Sequence, residues 1–498
     1  MNNIYRVVQD QGLTYQQKVL QLAREAENSI EVLHISKEAK DYMEKRVICD
    51  LFEGKAPYRP RYILPDYERL MKIGSKFLEL NPPADLWEAV NHLLIFYKHV
   101  PSITSFPVFV GVLDQLLEPF IVNEEEAYKI IKLFFIHMDR TLTDSFVHAN
   151  IGPHDSRAGR LILKAERELK NAVPNLTLRY SKDTPKDFAL EAVQTGLEVS
   201  KPYFANHEMF VREFGKEYGI ASCYNGLPVG GGSYTLVRLN LKRLAEEAGN
   251  QETFFKQYIP HAVGLVTEIM DERIRFLVEE SGFFESSFLA KEGFIHKDRF
   301  TAMFGIFGLA ECVNLFLNAR DRRDRYGHSE KAKELGYQIV KKIEEAVNQH
   351  RNLYCQGTGQ RFLLHAQSGI SADIDATAGC RIPIGDEPEL LDHILYAAKF
   401  HPLFPSGISD IFTFESTAKN NPEFVLDIIR GAMEKGMRMF AFSSGDNDLM
   451  RVTGYLVKKS EMKKRKAGEP VLQDTVALGL EAVENQRLLE RKVIKNDA

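Results

Sequence analysis

The sequence predicts an α/β fold, and three observations carry that prediction. Segments of helical period alternate with short apolar runs of strand character, most regularly after residue 172. No Pro/Gly/Ser-rich linker and no internal repeat divides the chain. The 498 residues suffice for two to four domains or for one large α/β barrel.

The first 170 residues read as mainly helical. Apolar residues recur at three- and four-residue spacing over 15–33, 37–52, 66–80 and 84–99. Ser36 is placed to cap the second of these, and Pro82-Pro83 stand ahead of the fourth. Asn123-Glu124-Glu125-Glu126 opens a further helix with acidic residues at its positive end, and 156–172 forms another. From Val173 the character changes. Strands are expected at 174–180 and 234–239, with 218–226 a strand ending in a loop, and later at 361–365, 410–415 and 437–442. Helices are expected from Leu241 and over 252–280, 299–318 and 329–349. The basic stretch 458–466 reads as a solvated turn ahead of a C-terminal helix over 471–492.

Composition excludes several classes of function. A net charge of -5 and a pI near 6.3 give no reason to expect nucleic acid or an anionic membrane as partner. The longest apolar region, 93–122, is interrupted by Lys98, Pro101, Pro107 and Asp114, so it is not expected to span a bilayer, and Met1 to Arg6 do not open a signal peptide. The five cysteines (Cys49, Cys223, Cys312, Cys355, Cys380) are scattered and form no C-x-x-C, which argues against zinc ribbons and cysteine-ligated clusters. A reducing cytoplasm is the expected compartment.

Two short stretches could carry chemistry. Arg451-Val452-Thr453-Gly454-Tyr455-Leu456-Val457-Lys458 reads as a short strand with a glycine inside it. Such a glycine marks a bulge or a close backbone approach; alternatively, its Cα can lose a hydrogen and become a planar, delocalised radical. Cys223 follows the small-residue strand Tyr218-Gly219-Ile220-Ala221-Ser222 and precedes an Asn-Gly turn, which sets its thiol at a loop tip. It could be a small buried hydrophobe, a nucleophile or a hydrogen-atom donor. Other candidates carry weaker signals. Gly230-Gly231-Gly232 reads as a flexible turn more readily than as a phosphate cradle, because no Lys-Ser/Thr follows. His148-x5-His154-Asp155 is more readily structural than metal-binding. Glu311 divides evenly between an acid–base role and a paired buried charge, His401, Glu415 and Cys380 are further pocket candidates, and Leu309, Val313 and Phe316 read as core.

The Arg-Val-Thr-Gly-Tyr run resembles the R-V-[S/T]-G-Y fingerprint of glycyl radical enzymes, close to the C-terminus where that superfamily carries it. Asn175-Leu176-Thr177-Leu178-Arg179-Tyr180 and Ile220-Ala221-Ser222-Cys223 resemble the corresponding runs of pyruvate formate-lyase and its relatives. Gly231-Gly232-Ser233-Tyr234, Val237 to Arg243 and Gly308-Leu309-Ala310-Glu311 are closer to anaerobic ribonucleotide reductases. As a whole the chain is similar to the short YjjI-type glycyl radical enzymes, whose function is unassigned.

The resemblance implies a ten-stranded α/β barrel of two antiparallel half-barrels, with the glycine and cysteine loops meeting inside. It implies one domain over 1–498: a mainly helical part (1–172), a barrel core with the cysteine loop (173–443), and the glycyl radical loop with a C-terminal helix (444–498). By the same resemblance Gly454 stores the radical and Cys223 relays it as a thiyl to a small-molecule substrate. No cofactor is bound in the chain; a radical S-adenosylmethionine activase installs the radical, and a homodimer is compatible with the family. Three departures bear on the reaction. Ser222 stands where pyruvate formate-lyase has a second cysteine, which argues against acyl transfer. Tyr224-Asn225 replace the Val-Glu that follows the cysteine of diol dehydratases, and no cysteine pairs near Gly454 recreate the zinc site of ribonucleotide reductases. The expected reaction is therefore a lyase or elimination reaction of unassigned substrate. Its rivals are a divergent nucleotide reductase and a non-catalytic, radical-bearing interaction protein.

Overall fold

Fifteen short strands, most of them wholly buried, form two sheets and two separate hairpins in the computed structural model, which describes residues 3–50, 53–102, 106–366, 373 and 375–486. One sheet has five positions. Its first is shared by β1 (Ile48–Asp50) and β2 (Tyr62–Leu64), which pair end to end and antiparallel with β8 (Gly231–Asn240). Then come β9 (Phe300–Phe307), β10 (Leu363–Ala366) and β11 (Gly407–Ile408), all parallel to β8. The other sheet runs β12 (Ile411–Phe414), β13 (Met439–Ser444), β5 (Tyr203–Asn206), β4 (Asn175–Tyr180) and β3 (His148–Ile151), with the single antiparallel step between β13 and β5. These are the ten positions and two halves that the sequence resemblance implies, with strand directions mixed inside each half. Three strands, β1 to β3, come from the first 172 residues, which the sequence reads as mainly helical.

The largest misreading is 299–318, expected as one helix. It is strand β9 followed by the helix Leu309–Leu317, with Gly308 at φ +75° turning the chain between them. A central parallel strand is covered on both faces, so Phe-Thr-Ala-Met-Phe-Gly-Ile-Phe carries no polar alternation and its period does not distinguish it from a buried helix. Other helices are shorter than expected. The first expected helix, 15–33, is Tyr15–Glu27, opened by a Thr14 capping box; 37–52 splits into Lys37–Glu44 and strand β1; and 66–80 contracts to Tyr67–Ile73. The basic stretch expected to be a turn is the helix Lys459–Lys466, and the C-terminal helix is Thr475–Gln486, with the rest of the expected 471–492 range beyond it outside the described residues.

The inner face of the first sheet explains several glycines. Cys49, Arg238, Gly305, His365 and Gly407 lie side by side across its five positions. A Cβ on Gly407 would come within 2.5 Å of the Tyr224 carbonyl oxygen, so a side chain there would block the hairpin that fills the barrel. The triglycine run is a turn only at Gly230, at φ +74° between β7 and β8. Gly231 and Gly232 lie inside β8, where a Cβ would stand 2.1 Å from Arg299 O and 2.0 Å from Tyr62 O, because β2 and the approach to β9 press on it from both sides.

Candidate active site

The hairpin of β6 (Tyr218–Ala221) and β7 (Asn225–Pro228) carries Cys223 in its turn, with Ser222 at φ +53°. Side chains of the second sheet grip its backbone. Asn150 on β3 bonds both polar groups of Ile220, donating to its carbonyl at 2.9 Å and accepting from its amide at 2.7 Å. His148 Nδ1 lies 2.6 Å from Ser222 O and Nε2 lies 2.7 Å from Thr177 Oγ1. A carbonyl only accepts, so Nδ1 carries the proton, and Nε2 accepts from the threonine hydroxyl. Burial, reinforced by Arg451 and Lys201, holds His148 down at about 3, so the ring stays neutral. Tyr203 on β5 donates to Cys223 O. Ser222 N donates to Val108 O, in the segment that runs along β3, and from the other sheet's side Gly226 N donates to Ser406 O, each at 2.8 Å.

Residues 451–458 are not one strand with an interior glycine. They belong to a hairpin, β14 (Leu449–Arg451) and β15 (Leu456–Lys458), with Gly454 in its turn. Asn175 at the start of β4 donates to Gly454 O, and Tyr224 OH donates to Thr453 O at 2.6 Å. Arg451 is fully buried, its guanidinium 4.7 Å above the Tyr203 ring and bonded to Ser200 O. Tyr455 packs on Phe146 at 4.8 Å between ring centres. The two turns touch. A Cβ built on the buried Gly454 would stand 2.2 Å from both Cα and Cβ of Cys223, so the glycine hydrogen in the L-side-chain direction faces Cys223, and no larger residue fits without moving a hairpin.

Burial pushes the Cys223 thiol up to about 11, against smaller opposing contributions from Ser222, Thr453, the Gly454 amide and Arg381. At neutral pH the group is S–H, not thiolate. Nucleophilic catalysis requires the thiolate; transfer of a hydrogen atom requires the intact S–H bond.

Cys223 opens into a cavity of about 240 Å³. Its inner wall holds Arg61, Tyr62, Asn225, Leu236 and His365, and its outer wall is made by both ends of the chain, with Gln17 and Leu20 from one and Val471, Asp474 and Leu478 from the other. Arg61 donates to the buried Glu53 at 3.1 Å, and Glu53 also accepts from Leu236 N at 2.7 Å and from Arg273 at 3.3 Å. The remaining sequence candidates lie elsewhere. Glu311 accepts from the amide and hydroxyl of Thr377 in a separate cavity of about 310 Å³, burial raising its carboxyl. His401 accepts from Arg438 N at 2.8 Å, and neither it, Glu415 nor Cys380 lines the cavity beside Cys223. His148 is spent on the hairpin. Among the described residues no group of three or more His, Cys, Asp or Glu side chains is placed to hold a metal. Sequence reasoning missed Arg61, Asn225 and His365 as cavity residues, and His148, Asn150 and Tyr203 as the grip. Asn175 and Thr177 lay inside a stretch singled out by resemblance, and Asn225 appeared there only as a departure from the diol dehydratases.

Solved structures share this architecture. Hydroxyproline dehydratase from Clostridioides difficile superimposes with a TM-score of 0.71 at 12% identity, covering 99% of this chain and 88% of its own. The anaerobic ribonucleotide reductase from Thermotoga maritima gives 0.69 at 14% identity, covering 85% and 86%. The fold is thus that of the glycyl radical enzymes. The sequence profile described as glycyl radical enzyme YjjI-like matches residues 13–494, and an Escherichia coli relative described as uncharacterized protein YjjI is 46% identical over 98% of this chain and 95% of its own length. The chain belongs to the YjjI-like glycyl radical enzyme family. Among the described residues no helix is long and apolar enough to cross a membrane.

Proposed function

We propose that Gly454 stores the radical and that Cys223 delivers it to a small organic molecule bound in the 240 Å³ cavity, in a lyase or elimination reaction. In the first step the thiol hydrogen moves to the Gly454 Cα, restoring the glycine and leaving a sulfur-centred radical on Cys223. That sulfur then takes a hydrogen atom from a substrate carbon. After the substrate radical has lost its leaving group or cleaved its bond, the product radical takes the hydrogen back from sulfur, and the thiyl recovers the Gly454 hydrogen. Atoms and spin balance over the cycle. The observation that carries the reading is the contact of the two turns in a buried setting, the Cβ direction of Gly454 ending 2.2 Å from Cys223. A short transfer distance follows from it, and Gly454 itself is shielded from solvent. The protonated thiol, held by burial, supports the same role.

In this reading a radical S-adenosylmethionine activase makes the Gly454 radical, supplying the reductive chemistry from its own cofactors. To reach a buried glycine it needs the outer wall, residues 459–486, to lift. The whole chain acts as one glycyl radical enzyme domain in the reducing cytoplasm, where its cysteines, which form no disulfide, stay reduced.

The test is anaerobic activation with the cognate activase. A doublet from the remaining Gly454 α-hydrogen is expected in electron spin resonance. Cys223→Ala should keep the doublet and lose every substrate-dependent change in metabolite profiling. Air should cut the activated chain at Gly454 and release a C-terminal piece of about 44 residues, counted from the sequence. A spin-positive sample that stays intact in air, or a Cys223→Ala variant with unchanged turnover, overturns the proposal.

A further inference from the structure

On the inner wall beside Cys223, Asn225 Oδ1 and His365 Nδ1 are buried without a partner among the described residues, as are Gln473 Oε1 and Asp474 Oδ1 on the outer wall. Asn225 is 1% exposed, and its Nδ2 donates to Ala221 O at 3.0 Å. That bond fixes the amide, because the reversed orientation would set two oxygens face to face. Its Oδ1 is buried and has no partner among the described residues. His365 on β10 is 3% exposed, and its Nδ1 is likewise buried and unpartnered among the described residues. A chain of backbone contacts connects the two residues. Gly226 N donates to Ser406 O, the next residue Gly407 pairs with His365, and the Cβ direction of Gly407 ends 3.4 Å from His365 Nδ1. Both side chains line the cavity that Cys223 opens into. A buried polar group without a partner is costly, and such groups gathered at one cavity mark a place where a ligand completes the bonding.

Resting on the radical reading above, we propose that Asn225 and His365 are the specificity-determining pair of this cavity and that they bind a hydroxyl group of the substrate. A hydroxyl donates to Asn225 Oδ1 and still has lone pairs, and a proton-sharing geometry, for the imidazole. A carboxylate offers only acceptors and leaves Oδ1 unpaired. An ammonium offers only donors, and the cavity sets three guanidinium groups (Arg24, Arg61, Arg465) against two carboxylates (Asp144, Asp474), an excess of positive charge that disfavours a cation. The imidazole is neutral, held down at about 3 by burial and by Arg61 and Arg238. The hydrogen-bonding complement of the pair is therefore constant from pH 6 to 9, by the same pKa.

The experiment uses the resting, unactivated full chain, so it does not depend on radical formation. Calorimetry compares glycerol, propane-1,2-diol and lactate with propionate and propylammonium. At least one hydroxylated probe should bind saturably, and at least tenfold more tightly than either hydroxyl-free probe. Asn225→Ala and His365→Leu should each weaken it at least tenfold, and His365→Gln should stay within about threefold. In the unmutated chain the same probe should slow alkylation of Cys223 by iodoacetamide, which keeps the test open if an apolar variant unfolds. The proposal is overturned if no hydroxylated probe saturates and the wall holds trapped water only. It is equally overturned if propionate or propylammonium binds as well, or if the variants bind unchanged. Hydroxyl binding without a spin signal after activation would sink the radical reading and leave this pair standing.

Discussion

The two hairpins that meet at the centre are built alike and held differently. The cysteine hairpin, β6–β7, is clasped on both sides. Asn150, His148 and Tyr203 take its backbone from one sheet, while Ser406 and the bare Gly407 receive it at the other. The glycine hairpin, β14–β15, meets a sheet only on its inner side, through Asn175 and the buried Arg451. Its outer side packs on Val471, Val476 and Ala482, from the segment that follows it in the chain. One turn is fixed in the barrel, and the other is docked on it. That asymmetry suits a pair in which the sulfur stays beside the substrate while the glycine is exposed once for activation.

The sharpest way to break the comparison is at the contact itself. Cys223→Ser keeps the shape of the fixed turn and replaces S–H by the much stronger O–H bond. Turnover should fall to background, while denaturant unfolding changes by less than about 1 kcal/mol and the spin signal persists. Gly454→Ala is a different lesion, since its methyl would meet Cys223 backbone and side-chain atoms at 2.2 Å. It should both abolish the signal and undock the glycine hairpin, by an overpacking cost of about 1–3 kcal/mol.

Removing one gripping side chain from each hairpin tests whether the holds really differ. His148→Ala empties a buried site and strips partners from Ser222 O and Thr177. Its expected cost is about 3 kcal/mol in global unfolding. Asn175→Ala removes one bond to a hairpin that can leave by itself. It should cost about 1 kcal/mol globally and appear mainly as faster hydrogen exchange over 449–458. Equal global losses would remove the distinction between fixed and docked turns.

Acid should loosen the barrel through its buried imidazoles. His148, His365 and His401 are each held down at about 3, chiefly by burial. The unfolded chain binds these protons below the ordinary 6.5 and the folded chain does not until about 3. Stability therefore falls as pH drops through that window, by about 1.4 kcal/mol per unit and per ring. Asp114 opposes one ring. Burial raises it to about 6 from 3.8, so it gains stability as pH falls between those values. From pH 6 to 4 the three rings and Asp114 together should contribute a loss approaching 3 kcal/mol per pH unit, reduced further by the burial-raised carboxyls of Glu166, Glu311, Glu461 and Asp474 and measured by denaturant unfolding across that range. A flat profile would mean that the rings are protonated or solvated in the folded state.

The two residues proposed to react stood out in the sequence because their signals are local: a short motif around Gly454 and a small-residue strand leading to Cys223. Strands β4, β8, β12 and β13 were legible for the same reason, as compact apolar runs. What holds the site was not. His148 read as half of a histidine pair with His154, yet its partners lie 29 and 74 residues away on another strand and in the cysteine turn. Asn225 read as part of a turn, and His365 ended an apolar run; neither carries a sign of the cavity, which forms only when β10, β11 and the hairpin converge. Strand β9 was lost for a physical reason, since burial on both faces erases the alternation that distinguishes a strand.

The smallest expected effect probes the docked hairpin from the far end of the chain. Gln17 Nε2 donates to Val471 O at 3.2 Å, and Arg465 donates to Gly12 O and lies 3.6 Å from Asp10. The N-terminal helix Tyr15–Glu27 thus closes over the segment that covers Gly454, and it also forms part of the cavity's outer wall. Gln17→Ala removes the bond to Val471 together with its half of the Thr14 capping box, and Arg465→Ala the bond to Gly12; across this contact each loses one hydrogen bond, worth roughly 1 kcal/mol, or about fivefold in a local opening constant. Exchange over 449–458 should rise by that factor in each variant and by more in the double variant. Exchange over 218–228 should not change, because the grip of His148 and Asn150 does not pass through either residue. The same variants should be activated faster by the activase, since the wall it must lift is held by one bond fewer. Faster exchange in both hairpins together would show instead that the two turns open as one unit, and that the glycine is not separately docked.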